Sequence, residues 1–228
     1  MAREALKTHD LALATRPEIY AAKHLFYNCT NIAFAPYGAH WRNVRKICIL
    51  ELLSAKRVLS YGFVRVEESA RLVQRLSGSY PRPVNLSKLL NLYANGVLCR
   101  VVFGKDFSGG GEYEQLGFQE MLDEYQELLG GFSLGDFFPS MEFIHFLTGN
   151  KGRLERAFRR FDQFFDDVIK DRLNCGSRRD EKDFVDILLE VQKDEDGDMP
   201  LTMDNVKAIL LVSHIFLKHI KIVKWIDH

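Results

Sequence analysis

The sequence lacks the short motifs that mark several large classes of protein. It contains no HExxH, GxSxG, GxGxxG or Walker loop, and no CxxC pair. These absences argue against a zinc hydrolase, an α/β-hydrolase, a dinucleotide-binding fold, a P-loop NTPase and a zinc ribbon. The 7 histidines are scattered along the chain. We therefore interpret each histidine as structural or solvent-facing, not as a metal ligand.

The chain also has no excess of positive or negative charge. The 31 basic and 31 acidic residues give a formal net charge of +0, so nothing in the charge favours nucleic acid as a partner. No run of about 18 apolar residues is present, and the first residues are mixed polar and charged. We therefore expect no membrane anchor and no signal peptide in this chain. The four cysteines, Cys29, Cys48, Cys99 and Cys175, are expected to be free thiols in a reducing compartment.

The pattern of apolar residues along the sequence is mainly helical. Apolar side chains recur every three or four residues from Leu154 to Val168, and again from Leu89 to Val101, which is typical of amphipathic helices. The second of these helices is predicted to begin near Asn85 and to end at Gly104. Further helices are predicted from Trp41 towards Leu53, over 65–76, 113–129 and 183–191, and from 204 onward with Thr202 as N-cap. No convincing alternating pattern indicates strands, so the sequence predicts a mainly α, multi-helical domain.

Trp41 and Arg45 form the most informative local pattern. Four residues apart on a helix, they would share one face, one turn apart. The indole N–H is a single donor and the guanidinium is a planar fork of donors, so the two together suit a carboxylate ligand. On this pattern alone, a core tryptophan beside a surface arginine is the favoured interpretation, and a carboxylate-binding pair is the alternative.

Two further carboxylates have plainer interpretations. Glu68 and Arg71 match ExxR, and such an i,i+3 pair is expected to be a solvated contact that stabilises by a few tenths of a kcal/mol. Asp136 stands alone between Gly135 and Phe137. It is predicted to be a cap or turn residue, not a general base.

Ordered motifs spread along the chain carry a resemblance to a known family. They read THDL at 8–11, ATRP at 14–17, IAFAPYG at 32–38, WRNVRK at 41–46, VFG at 102–104, GDFFP at 135–139, DFVDILL at 183–189 and LTMDNVKAIL at 201–210. In this order they resemble the plant microsomal A-type cytochrome P450 family, from its B–C region to the start of its I helix. The resemblance implies an incomplete cytochrome P450 fold over residues 1–211, followed by a divergent tail over 212–228.

The family resemblance also implies a function and a set of site residues. The intact relative would be a heme-thiolate monooxygenase at the cytosolic face of the endoplasmic reticulum membrane. It would oxidise a small apolar plant metabolite with O2 and with electrons from a flavoprotein reductase. Trp41 and Arg45 would hold a heme propionate. The proposed substrate-recognition residues are Ile32, Phe34, Phe132 and Phe137.

Several of the family's motifs have no counterpart in these residues. After Leu211 the chain lacks an Ala-Gly-x-Asp/Glu-Thr segment, and the PERF region and the FxxGxRxCxG heme loop are absent. Because the axial cysteine loop is missing, we assign no catalytic residue and no metal ligand, and expect the chain to be inactive alone. The alternative is a non-catalytic helical fragment that acts through partner binding. The tail itself is interpreted as a translated intron or frameshifted end, or else as a basic amphipathic helix.

Overall fold

The computed structural model describes residues 2–105, 117–131, 136, 149–175, 182–193 and 201–220. Ten α-helices lie within these ranges: α1 Asp10–Leu13, α2 Tyr20–Leu25, α3 Ala39–Ile47, α4 Ala55–Ser60, α5 Gly62–Ser79, α6 Leu86–Phe103, α7 Phe118–Gly130, α8 Asn150–Cys175, α9 Phe184–Lys193 and α10 Met203–Ile220. Single π-helical turns, Glu4–Thr8 and Cys48–Leu52, precede α1 and follow α3. No strand occurs within the described ranges, and the prediction of a mainly α fold is confirmed.

The helix ends follow the capping signals in the sequence. The Asn85 side chain accepts a hydrogen bond from the Lys88 amide at 3.0 Å, and Gly104 ends α6 with φ 59°, in the left-handed region. Only glycine adopts that conformation without a steric cost. At the start of α10, the Thr202 hydroxyl accepts from the Asn205 amide at 3.2 Å. Helix α10 then continues through Leu211 to Ile220, and a domain boundary after Leu211 stays a prediction.

Helix α10 lies at the centre of the core, against α6 and α9. Val206, Ile209 and Leu210 on this helix are fully buried, and burying each such side chain stabilises the fold by roughly 1.5–3 kcal/mol. An aromatic cluster continues the core between α6, α7 and α8. Within it the Phe118 and Phe164 rings lie 4.8 Å apart. The long helices are therefore held mainly by apolar packing.

The ExxR pair corrects one prediction from the sequence. Glu68 is not solvated: its side chain is 3% exposed, between α5 and α6. It accepts hydrogen bonds from Arg71 at 2.9 Å and from Arg100 of α6 at 3.1 Å. A surface i,i+3 pair was the wrong interpretation because α6 brings a second arginine and covers the carboxylate. A buried carboxylate needs such partners to offset its lost hydration.

Each helix in the described ranges is either too short or too polar to span a bilayer.

Candidate functional site

The candidate site is built on the segment between α2 and α3. Phe26, just after α2, is fully buried and stacks on Phe34 with the ring centroids 5.3 Å apart. The start of α2 is fixed from far along the chain, because the Tyr20 amide donates to Asp136 Oδ1 at 2.7 Å. Asp136 thus accepts from the first amide of a helix far away in the sequence, and the prediction that it is a cap or turn residue of its own segment stays a prediction. Residues 26–45 are called the site segment below.

The site segment opens with an uncommon backbone turn. Tyr27, Asn28 and Cys29 have φ values of 49°, 58° and 58°. Left-handed backbone costs roughly 1–2 kcal/mol per residue for L-amino acids, and it normally occurs at single residues. Three such residues in succession persist only where surrounding contacts hold them. The Thr30 amide closes the turn onto the Phe26 carbonyl oxygen at 3.2 Å.

Asn31 then directs the chain towards α3. It is fully buried, and its Oδ1 accepts from the Ala33 and Phe34 amides, both at 2.9 Å. A side chain that bonds its own following backbone in this way fixes a tight turn. As a result, Ile32 and Phe34 are half-buried and pack against the core.

The tryptophan and arginine on α3 share one face, as their spacing predicts. The guanidinium carbon of Arg45 lies 5.1 Å from the centroid of the Trp41 ring, within the range of a cation–π contact. The indole Nε1 donates to the Ile32 carbonyl oxygen at 2.9 Å. Trp41 is half-buried and Arg45 is exposed. Trp41 therefore ties α3 to the turn before it and orients Arg45.

Arg45 fits an anionic ligand better than Trp41 does. Within the described part of the chain, no carboxylate forms an ion pair with Arg45, so its fork of donors is open to a ligand carboxylate such as a heme propionate. The single indole N–H is already engaged by Ile32, and it would have to exchange partners to join a clamp. The paired role of Trp41 and Arg45 stays a prediction, with Arg45 as its better-placed member.

The structure describes two of the four predicted substrate-recognition residues, Ile32 and Phe34. Ile32 lies next to Trp41 through its carbonyl group, and Phe34 lies over Phe26. Phe132 and Phe137 lie outside the described residues. Among the residues that the structure describes, no group of three or more His, Cys, Asp or Glu side chains is arranged to hold a metal ion.

A polar cluster that no sequence motif predicts contacts the site segment. The Tyr27 hydroxyl donates to Asp162 Oδ1 at 2.8 Å, and Lys207 Nζ donates to the same oxygen at 2.6 Å. Lys207 also pairs with Asp166 at 2.7 Å. The only local signal was the i,i+4 spacing of Asp162 and Asp166, which puts two carboxylates on one face of α8.

Burial and hydrogen bonding act in opposite directions on this cluster. Burial acts to raise the pKa of Asp162, but hydrogen bonds from Lys207 and Tyr27 outweigh it and leave that pKa below its usual value. Burial likewise acts to lower the pKa of Lys207, and bonds to Asp162 and Asp166 raise it overall. The pKa of Tyr27 is raised, chiefly by burial and by its bond to Asp162. The stable state is thus an ionised Asp162 carboxylate that accepts from both a neutral phenol and an ammonium group.

Comparison with known proteins gives consistent matches over most of the chain. A family model described as Cytochrome P450 matches residues 1–215. Cytochrome P450 71AP13 of Prunus mume is 65% identical over 212 residues, which cover 92% of this chain and 41% of the relative. Premnaspirodiene oxygenase of Hyoscyamus muticus is 42% identical over 216 residues, covering 92% and 42%. The chain thus spans about two fifths of the length of these curated relatives.

The fold comparison agrees at greater evolutionary distance. A solved structure of a zebra fish cytochrome P450 with progesterone gives a TM-score of 0.71 at 22% sequence identity. The superposition covers 92% of this chain and 47% of that chain. At this identity the likeness concerns the fold alone.

Proposed function

Because the chain belongs to the cytochrome P450 family, among its plant A-type members, we propose that it forms part of a monooxygenase that oxidises a small apolar plant metabolite. The family match over residues 1–215 carries this proposal. The described helices form a mainly α, incomplete cytochrome P450 fold. Relatives whose names denote an oxygenase and a strychnine hydroxylase support an oxidation as the reaction class.

In this proposal Arg45 binds a propionate of heme. A thiolate-ligated heme supplies the iron chemistry that favours O–O cleavage. The contribution of the present residues is binding and orientation. The Arg45 guanidinium, held over the Trp41 ring at 5.1 Å, offers two parallel donors to a carboxylate. Trp41 acts on the heme through Arg45, or directly if its N–H leaves the Ile32 carbonyl oxygen.

Substrate recognition is proposed for the apolar side chains of the site segment. Ile32 and Phe34 are half-buried beside α3, and apolar walls of this kind suit an apolar metabolite. The buried Asn31 fixes the turn that carries both residues, so their positions are set by hydrogen bonds as well as by packing. Phe132 and Phe137 complete the proposed set.

No cysteine here lies in an FxxGxRxCxG context. Burial raises the pKa of the Cys48 thiol to about 12, which disfavours its thiolate. We therefore propose that the chain alone is inactive. The complete enzyme would take electrons from a flavoprotein reductase at the endoplasmic reticulum membrane.

A chimera tests this function. Residues 1–211 replace the matching segment of the Prunus mume relative, and the reduced, CO-bound absorption spectrum is recorded. We expect the Soret band of a thiolate-ligated heme in the chimera, and no such band from the 228-residue chain supplied with heme. A chimera that folds, as judged by circular dichroism, yet shows no such band would contradict the proposed role. A thiolate-type band from the chain alone would contradict its inactivity.

A further inference from the structure

Tyr27 joins the site segment to helix α8 by two different contacts. Its hydroxyl donates to Asp162 Oδ1 at 2.8 Å, and its ring meets Phe158 at 5.0 Å in an edge-on arrangement. Phe158 and Asp162 lie one turn apart on α8. One face of α8 therefore binds both the apolar body and the polar tip of Tyr27.

Helix α10 contributes Lys207 to the same cluster. The Lys207 side chain is 9% exposed, and its Nζ reaches Asp162 Oδ1 at 2.6 Å and Asp166 Oδ1 at 2.7 Å. A buried ammonium group is costly unless it is paired, so Lys207 holds both carboxylates in place. Tyr27 and Lys207 donate to the same oxygen of Asp162. Three separate parts of the chain thus meet at one atom.

The turn at residues 27–29 has little intrinsic preference for its left-handed conformation. Tyr27 is the first of three successive residues with positive φ, and Cys29, the third, is 5% exposed. Such backbone persists where the surroundings over-determine it. The turn leads directly into Asn31, which positions Ile32 and Phe34. A contact that holds residues 27–29 consequently acts on both apolar side chains.

We propose that Tyr27, Asp162 and Lys207 form a latch by which α8 and α10 hold the left-handed turn, and with it Ile32 and Phe34, in the position used to recognise substrate. These three are positioning residues, because none of them needs to touch a ligand. The link to substrate rests on the proposed function, whereas the latch itself is a property of this chain alone. The competing view is that Lys207 and Asp162 only join two helices, with Tyr27 incidental.

Cysteine labelling on the complete 228-residue chain separates these views. Buried thiols react when the structure around them opens, and Cys29, Cys48 and Cys99 are all buried. Alkylation by N-ethylmaleimide is followed for each cysteine by peptide mass spectrometry, with no heme present. Tyr27→Phe keeps the ring and removes the hydroxyl. Lys207→Met removes the ammonium group and keeps an apolar side chain.

We expect both variants to label Cys29 about tenfold faster than the native chain, with Cys48 and Cys99 unchanged. Lys105→Met is the matched control. Lys105 pairs at 2.6 Å with Asp171, which lies on α8 as Asp162 does but further along the helix from the turn. It should change no labelling rate. Asp166→Asn is a milder variant that keeps the Tyr27 bond, so it should accelerate Cys29 less than Tyr27→Phe does.

Two results would overturn the latch. One is an unchanged Cys29 rate in both Tyr27→Phe and Lys207→Met. The other is a parallel rise at all three cysteines, which would mean that the fold opens as a whole. Because the labelling uses the chain without heme, a failed chimera would leave the latch standing. A failed labelling test would likewise leave the monooxygenase proposal standing.

Discussion

The carboxylate of Glu68 occupies the space that a side chain at Gly96 would need. A Cβ atom built on Gly96 would lie 2.6 Å from Glu68 Oε2, closer than real Cβ contacts come. The end of a glutamate can usually move aside, but this one is buried and bonded to Arg71 and Arg100. The close approach of α5 and α6 therefore depends on glycine at this position.

We predict that Gly96→Ala lowers the free energy of unfolding by about 1–3 kcal/mol, the usual cost of overpacking. The new methyl group must displace Glu68 Oε2, while the other carboxylate oxygen is held by Arg71 and Arg100. Chemical denaturation followed by circular dichroism measures the change. Gly78→Ala is the matched control, because nothing lies within 4 Å of its added Cβ; it should stabilise α5 by up to about 1 kcal/mol. Equal effects of the two substitutions would contradict the steric account.

The pH dependence of stability is predicted to contain a contribution from Asp183. Burial raises the pKa of Asp183 to about 6, against the opposing effect of the Arg172 guanidinium. The folded state therefore binds a proton here more tightly than the unfolded state does. Stability contributed by this group rises as pH falls from 7 towards 5, by roughly 1 kcal/mol, and is lost as pH rises through the folded pKa.

Asp183→Asn isolates that contribution. Asparagine keeps the N-cap acceptor that Asp183 presents to the Asp186 amide and does not titrate. The native chain should gain stability relative to this variant as pH falls from 7 to 5, measured by denaturation at each pH. A difference that shrinks over this range would mean that Arg172 outweighs burial.

The cap at the start of α10 is predicted to stabilise the fold, because this helix carries buried core residues. Thr202 and Asn205 each accept the other's backbone amide, at 3.2 and 3.0 Å. Thr202→Ala should lower the free energy of unfolding by about 1 kcal/mol, while Thr202→Ser should stay close to the native value. Denaturation curves of the two variants give the comparison. A serine variant as unstable as the alanine variant would assign the effect to the methyl group instead.

The sequence predicted the long helices because their signals are local. The periodic stretch 65–76 lies within α5 Gly62–Ser79, and the caps of α6 and α10 occur where Asn85, Gly104 and Thr202 indicate. The short helices α1, α2 and α4 have 4 to 6 residues, too few for a periodic pattern. The start of α2 also depends on Asp136, 116 residues away, which no local pattern reports.

The site shows the same division between local and distant contacts. The shared face of Trp41 and Arg45 follows from their spacing, whereas the Ile32 partner of the indole depends on a turn built by Asn31. Lys207 and Asp162 lie 45 residues apart. Periodicity assigns Asp162 to the polar face of its helix, and only the packing of α10 brings it the buried partner Lys207.

Arg45, as the group that binds a heme propionate, is the central residue of the proposed site. The measurement is the affinity of the chain for hemin and for hemin dimethyl ester, whose propionates carry no charge. It is made on the native chain, on Arg45→Ala, and on Arg42→Ala. Arg42 is the matched control because its guanidinium carbon lies 5.7 Å from the Tyr37 ring centroid in a similar contact.

We predict that the native chain and Arg42→Ala bind hemin roughly three- to tenfold more tightly than the dimethyl ester, as expected for a charge-assisted hydrogen bond. Arg45→Ala should lose that preference and bind both compounds alike. If Arg45→Ala kept the preference for hemin, or if Arg42→Ala lost it to the same degree, Arg45 would not be the propionate-binding residue and the proposed heme site would be wrong.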